Sequence, residues 1–197
     1  MNLTPFCKDL TLKSNYPSYD NESPNLHVEV LDMPSHRFEL NFMSRKLKNE
    51  EEHRAFWTMI ESMKASVPFT WVPPKLSKIL GTGGDALASE TSAGGYEFGV
   101  YNAPSNTTWL KAGDLINIGN QTKVYRVMQD VVTNNAGVGT VLVNCPIKKK
   151  VPDGTAINGS GAVFTLIRKP GAKPQSFNLK GNTQFVSYAD LEFIEFL

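Results

Sequence analysis

Residues 109–146 constrain the fold more than any other stretch, because strand-like segments alternate there with turn-forming residues. β-branched and aliphatic side chains cluster at residues 115–118, 124–131 and 138–143, with Gly- and Asn-containing turns between them. This spacing is typical of a small antiparallel sheet. The stretch therefore predicts a three-stranded β-meander without a helix.

A further apolar segment at residues 162–167 gives about the number and spacing of strands found in a five-stranded Greek-key barrel of the OB type. We therefore expect a fold that is mainly β with one α-helix. It combines an inserted OB-like β-barrel with a discontinuous β-rich domain. OB barrels serve many unrelated functions, so function must be argued from sites.

The sequence before this barrel predicts a loop or weakly ordered arm over residues 1–25, which are rich in Asn, Ser, Pro and Tyr. Residues 26–31 and 36–43 both alternate in polarity, and a turn-like segment separates them. They predict a hairpin whose second strand places Phe38, Leu40 and Phe42 on one face.

A helix is predicted over residues 50–64. Asn49 followed by Glu52 resembles a capping box, and Phe56 begins an apolar stripe at helical spacing. We expect this stripe to pack on the hairpin. A short strand is then predicted at residues 69–72.

The chain ends in a Phe-rich segment, residues 183–197, that predicts one or two strands. The N-terminal hairpin and helix cannot close a core alone, so we expect these strands to join them. The predicted domains are residues 1–84 with 171–197, forming the discontinuous domain, and residues 85–170, forming the inserted barrel.

Composition limits the functions that the chain can have. Of its 197 residues, 41% are hydrophobic and 20% are charged, and the net charge is +1. No strong field draws the whole protein onto nucleic acid or an anionic membrane. Cys7 and Cys145 form no CxxC motif, and no window predicts a membrane span. We expect a protein partner, and synthesis in the cytosol.

Motifs for catalysis or metal binding are weak. His27, His36 and His53 lack the spacing of a zinc site, and Ser160 lacks the full G-x-S-x-G motif. Residues 81–84 lack the Lys of a phosphate loop. The sequence predicts no catalytic residue, no cofactor and no metal, and therefore no enzyme.

One set of residues favours binding. Basic and aromatic side chains of the predicted barrel could form a groove for a single strand, although acidic residues in the same domain dilute the positive field. Core aromatics and a solvated loop are the simpler interpretation. The set comprises Tyr101, Trp109, Tyr125, Lys148, Lys149 and Lys150.

Five motifs carry a resemblance to a known family. They are residues 112–115 (AGDL), 123–127 (KVYRV), 145–146 (CP), 153–154 (DG) and 164–166 (FTL). In order and spacing they resemble the inserted barrel of distal tail proteins of tailed phages with long flexible tails (siphophages). The flanking layout is similar too: a β region with one helix, the insertion, and a short C-terminal return of strands.

The resemblance implies a structural virion protein. Members of that family form a homohexameric ring at the tail tip that joins the tail tube to the baseplate or fibre. The ring surrounds the channel through which genome DNA passes without specific binding. The OB-type domain projects outward toward neighbouring tail proteins or host-surface carbohydrate. The implied location is the virion tail, assembled in the host cytoplasm.

Within such a ring, we expect the hairpin at residues 26–43 and the C-terminal strands to supply subunit contacts and line the lumen, with the helix facing outward. The alternative is a free OB-type binding module for single-stranded nucleic acid or carbohydrate. An enzyme without a recognisable motif is a minor third option.

Overall fold

The computed structural model describes residues 2–22, 28–172, 188 and 190–197, and this part of the chain is mainly β with one α-helix. A 3₁₀ turn at Thr4–Phe6 precedes the first strand. The elements are β1 (Cys7–Asn15), β2 (Ser18–Glu22), β3 (Val28–Asp32), β4 (Arg37–Ser44), α1 (Glu50–Ser62), β5 (Phe69–Trp71), β6 (Ala86–Ala88), β7 (Glu97–Tyr101), β8 (Thr108–Leu110), β9 (Leu115–Ile118), β10 (Val124–Arg126), β11 (Val131–Val132), β12 (Gly139–Leu142), β13 (Thr155–Asn158), β14 (Phe164–Arg168) and β15 (Leu191–Glu195).

A five-stranded antiparallel sheet joins the two ends of the chain in the order β1-β4-β15-β14-β5. β15 pairs with β4, so the sequence prediction that a C-terminal strand joins the N-terminal strands is confirmed. Burial alternates along β4, with Phe38, Leu40 and Phe42 inside, also as predicted. One face of this sheet is therefore apolar, and the other is mainly polar, with Ile167 and Ile194 beside its charged side chains.

Helix α1 covers the apolar face. The Asn49 Oδ1 accepts a hydrogen bond of 2.8 Å from the Glu52 N–H, which confirms the predicted cap. The Glu52 carboxylate accepts the Lys48 N–H instead of closing a capping box on Asn49. Phe56 is fully buried against Phe42, with ring centroids 6.3 Å apart. Burying one such ring stabilises the fold by roughly 1.5–3 kcal/mol.

A six-stranded antiparallel sheet forms the second region, in the order β10-β9-β13-β6-β7-β12. The sheet curls until its two edges approach each other. Val127 and Val143 form a bridge, and the Asn144 N–H donates to the Arg126 carbonyl at 3.0 Å. A separate apolar core that includes Trp109 fills this region.

One sequence prediction about the barrel is confirmed in part, and another needs correction. β9 and β10 form the predicted hairpin, and the third predicted strand, β12, meets the second run at the Val127–Val143 bridge while it pairs along its length with β7. The strand predicted at residues 162–167 as part of the barrel is β14, which lies in the five-stranded sheet between β15 and β5. The buried Phe164 and Leu166 place it in the first core. The domain limits themselves stay a prediction.

The N-terminal predictions also change. Residues 7–15 and 18–22 form β1 and β2 instead of a loop. β1 is mostly exposed, so its sequence carries little of the apolar alternation that predicts a strand. β3 pairs with β2, and β4 pairs with β1, so the predicted 26–31/36–43 hairpin is wrong. Leu26, His27 and residues 183–187 lie outside the described residues. We call the β2–β3 pair with its base, residues 16–22 and 28–33, the ribbon.

Candidate functional site

The barrel surface predicted from the sequence is not assembled as a groove. Trp109 is fully buried, and its Nε1–H donates to the Gly84 carbonyl at 2.8 Å. Tyr125 is also fully buried; its hydroxyl donates to Gln121 Oε1 and accepts the Lys148 N–H, both at 2.9 Å. Burial raises the pKa of Tyr125. Neither ring can stack on a base, which corrects the predicted surface for these two residues.

The lysines of that surface are exposed, whereas Tyr101 is half-buried in β7. Lys150 forms an ion pair with Glu90. Partial burial, followed by the charge of Lys149, lowers the pKa of Lys148. The exposed part of the predicted surface is therefore a short loop of three lysines, whose positive charge is partly neutralised. The two buried aromatic rings do not contribute to it.

A second surface is the polar face of the five-stranded sheet. Lys169 Nζ lies 3.2 Å from Glu39 Oε2 and 3.1 Å from Glu192 Oε2. Partial burial opposes the change, but hydrogen bonds from Asn15 and Lys169 hold the pKa of Glu39 below its usual value. Positive and negative side chains are interleaved on this surface. The polar face consists of Lys13, Arg37, Glu39, Asn41, Lys169 and Glu192.

The junction between the two sheets contains a buried ion pair. Lys123 Nζ lies 2.7 Å from Glu195 Oε2, and both side chains are almost completely buried. The same carboxylate accepts the N–H groups of Phe38 at 3.1 Å and Val124 at 2.6 Å. A buried charge needs several such partners, and here they come from both sheets. Glu195 therefore fastens the two regions together.

Sequence reasoning missed this junction. The available signal was a Lys between the strand-like runs of the barrel and a Glu inside an otherwise apolar C-terminal run. Charged residues are rarely buried without a partner. The pairing of Lys123 with Glu195 could not be inferred from the two runs separately, because 71 residues lie between them along the chain.

His36 lies beside the junction. Its Nε2 is 2.8 Å from the Ser14 hydroxyl oxygen, and its ring contacts Tyr16 at a centroid distance of 4.5 Å. Burial, then the charges of Lys123 and Arg126, lower the pKa of His36 to about 3. Among the described residues, Nδ1 has no hydrogen-bond partner. The Ser14–His36 pair thus lacks the orienting acid of a catalytic triad.

Asp114, one of the residues that carry the resemblance, has a structural role. Its buried carboxylate accepts the N–H groups of Leu80 and Lys111 at 2.8 Å each, and of Gly81 at 3.2 Å. These bonds tie the connection leading into the second region to the turn before β9. The motif therefore indicates a backbone geometry and not a chemical site.

The ribbon carries several exposed apolar side chains. Tyr19 is 71% exposed, Leu31 66% and Val30 59%. Tyr16 anchors the ribbon base, because its hydroxyl accepts a hydrogen bond from Asn144 Nδ2 at 2.9 Å. Apolar side chains concentrated on one projection are typical of an interaction surface.

The described part of the chain shows no group of His, Cys, Asp and Glu side chains that could hold a metal ion. His53 instead contacts the Tyr188 hydroxyl at 2.7 Å, and Cys7 and Cys145 are free thiols. Within the described ranges, no helix has the length and apolar character needed to cross a membrane.

The sequence matches no family model and no curated protein with which it was compared. Its function must therefore be argued from the surfaces above.

Proposed function

We propose that this protein is a structural virion protein of a long phage tail. Copies of it form a homohexameric ring at the tail tip, which joins the tail tube to the baseplate or fibre. The ring surrounds the DNA exit channel, and the second region projects outward as an OB-like domain available for host attachment or for neighbouring tail proteins. The role is structural and not enzymatic.

The observation that carries this proposal is the asymmetry of the five-stranded sheet. Helix α1 packs on its apolar face, whereas the polar face carries exposed and half-exposed charged side chains. A sheet with one covered face suits the wall of a ring, where the helix lies outside and the polar face borders water. The proposal therefore places the helix on the outside of the ring.

The edges of the same sheet support assembly. β1 and β5 end the sheet on opposite sides. Open strand edges tend to pair with other chains, and a ring can satisfy an edge of each copy by placing a strand of the neighbouring copy along it. Such a head-to-tail contact repeats around an axis until the ring closes.

The charge of the polar face supports passage of DNA. Lys169 is held between Glu39 and Glu192, so its positive charge is largely balanced. Each unpaired Lys or Arg that contacts a phosphate would strengthen non-specific DNA binding. A wall of balanced charge lets a duplex slide, which is the property that an exit channel needs.

The test is the mass of the purified protein in solution, followed by electron microscopy of any assembled species. The proposal requires a hexamer whose images show a ring with a central opening. A protein that stays monomeric at every accessible concentration would contradict it.

The alternative, an OB-type binding module for single-stranded nucleic acid or carbohydrate, rests on the exposed Lys148, Lys149 and Lys150. The burial of Trp109 and Tyr125 removes its stacking platforms, which weakens the nucleic-acid form. Fluorescence anisotropy with a labelled single-stranded oligonucleotide distinguishes the two functions. The binding module would be favoured if the monomer bound the oligonucleotide tightly and if changing all three lysines to Ala abolished that binding.

A further inference from the structure

We propose that the ribbon of one copy docks along the open edge of β5 in a second copy. This inference rests on the proposed ring. It names the segment that one copy contributes to the subunit contact and the surface of the next copy that binds this segment. The ribbon would add its backbone to the five-stranded sheet of the neighbour, in the manner of β-strand addition.

The hydrogen-bond pattern of β14 shows which groups of β5 face the open edge. The Thr165 carbonyl accepts the Phe196 N–H at 2.8 Å, so Thr165 directs its backbone groups toward β15. Thr165 lies opposite Thr70 in the β14–β5 pair. In an antiparallel pair such residues do not exchange hydrogen bonds, and the N–H and C=O of Thr70 therefore point away from β14. No described residue hydrogen-bonds to them.

A groove runs beside this edge. It has a volume of about 420 Å³ and brings together residues from the N-terminal segment, from β5 and from the start of β14. Trp71 forms its apolar floor and is held in place by a hydrogen bond of 3.3 Å from Nε1 to the Thr4 hydroxyl. The exposed Val72 adds an apolar rim. The lining residues are Asn2, Thr4, Thr70, Trp71, Val72 and Val163.

The ribbon has the complementary character. Tyr19 and Leu31 lie opposite each other across the β2–β3 pair, so they share one face, and both are mostly exposed. Among the described residues, no third strand pairs with β2 or β3, so both outer edges that flank this apolar pair are open. The contact at the Tyr16 base fixes where the ribbon leaves the body of the protein, which reduces the entropy lost on docking.

Charge favours the same pairing. The described residues of the ribbon include four acidic residues and neither Lys nor Arg: Asp20, Glu22, Glu29 and Asp32. Directly after β5 the chain carries Lys75 and Lys78, both exposed, and residues 62–84 contain no acidic residue. An acidic apolar segment and an apolar groove with a basic flank attract each other, whereas two ribbons repel.

The first test removes the open-edge donor. Thr70→Pro deletes an N–H that takes no part in the β14 ladder, and proline is tolerated on the outer side of an edge strand. Thr70→Val keeps the N–H and is the matched control. We expect Thr70→Pro to keep a cooperative melt but to lose assembly by sedimentation, and Thr70→Val to assemble like the parent. Equal assembly of both variants would overturn the docking edge.

The second test is cross-linking between separately labelled copies in a Cys7→Ser background, with the buried Cys145 unchanged. A copy with Tyr19→Cys is mixed with a copy carrying Thr70→Cys, and oxidised. We expect a disulfide-linked pair at least about tenfold above the yield with Lys149→Cys, an exposed control position on the second region. A preference for the control position, or no preference, would overturn the inference.

The two proposals fail in different ways. Parent protein that stays monomeric overturns the ring and this docking together. Parent protein that forms rings while Thr70→Pro also forms them, without the Tyr19–Thr70 cross-link, leaves the ring standing and overturns only the assignment of ribbon and groove.

Discussion

The two sheets are both antiparallel and each encloses its own core, yet they treat their edges differently. The six-stranded sheet brings its edge strands together at the Val127–Val143 bridge. The five-stranded sheet leaves β1 and β5 apart, keeps one polar face, and extends into the ribbon. In the six-stranded sheet, the edge strands therefore meet each other within one chain. The five-stranded sheet leaves two strand edges without a partner among the described residues, and we therefore propose that assembly uses the region formed by the chain ends.

The largest expected effect follows from placing a charge in the first core. Phe42→Asp buries a carboxylate without a partner, because Phe42 is fully buried and its ring packs on those of Phe56 and Trp71. We expect a loss of more than about 4 kcal/mol, enough to unfold this region and abolish assembly. Chemical denaturation followed by near-ultraviolet dichroism measures the loss.

The control for this change uses the other face of the same sheet. Thr11 lies opposite Asn41 and is exposed, so Thr11→Asp adds the same charge where water can solvate it. We expect a change within about 0.5 kcal/mol. Similar losses for both variants would show that the two faces do not differ as described, and rings formed by Phe42→Asp would show that this face is not a core.

The next effect concerns the fastening of one region to the other. Glu195→Ala leaves the Lys123 ammonium buried without its carboxylate and removes the acceptor for the N–H of Val124. Breaking a buried ion pair by deleting one partner costs roughly 3–5 kcal/mol. We expect this loss in the free energy of unfolding measured with urea.

Glu192→Ala is the matched control, because Glu192 lies on the same strand but pairs with Lys169 at about 40% exposure. Exposed ion pairs contribute roughly 0–1 kcal/mol. If both Glu variants lost the same small amount, the junction would not hold the two regions together.

Sequence patterns predict an element well when one local signal determines it. The strict alternation of β4 and the Asn49 cap of α1 are such signals, and both predictions are confirmed. The apolar run of β14 predicts a strand but not its sheet, because such a run fits any buried strand, and only the pairing with β5 and β15 identifies the sheet. The sequence does not predict β1 and β2 as strands, because an exposed strand gains its geometry from its partner strand and not from hydrophobic alternation.

The candidate sites show the same limit. The sequence places Trp109, Tyr125 and the three lysines near one another, which is partly what the structure shows, since the Tyr125 hydroxyl accepts the Lys148 N–H. It cannot tell a buried ring from an exposed one when both faces of a strand are apolar. The open edge of β5 is also invisible in sequence, because an edge is a property of the whole sheet.

A smaller effect on stability depends on pH and involves His36, which lies beside the junction between the two sheets. His36 has a pKa of about 3 in the folded protein, below its ordinary value near 6.5, because it is buried beside Lys123 and Arg126. The unfolded chain therefore binds a proton first as the pH falls. Stability should be fully present above pH 6.5 and decrease toward pH 3, by at most about 1.4 kcal/mol per pH unit.

His36→Gln isolates this contribution, because other groups that titrate in the same range are present in both proteins. The difference in unfolding free energy between parent and variant should shrink or reverse between pH 7 and pH 4. A difference that does not change with pH would mean that His36 takes up protons equally in the folded and unfolded chain.

The smallest expected effect tests the cover of the apolar face. Asn49→Ala removes the side-chain acceptor for the Glu52 N–H at the start of α1, and the loss of such a cap costs about 1 kcal/mol. Asn49→Ser keeps an acceptor and should lose only a few tenths of that amount. Since the buried helix residues Phe56 and Ile60 belong to the first core, hydrogen exchange should accelerate at amides of α1 and β4 in the Ala variant, while amides of β7 and β13 keep their protection. Equal acceleration in both sheets would mean that the two regions unfold as one unit, and that the difference in their edges is not matched by a difference in their stability.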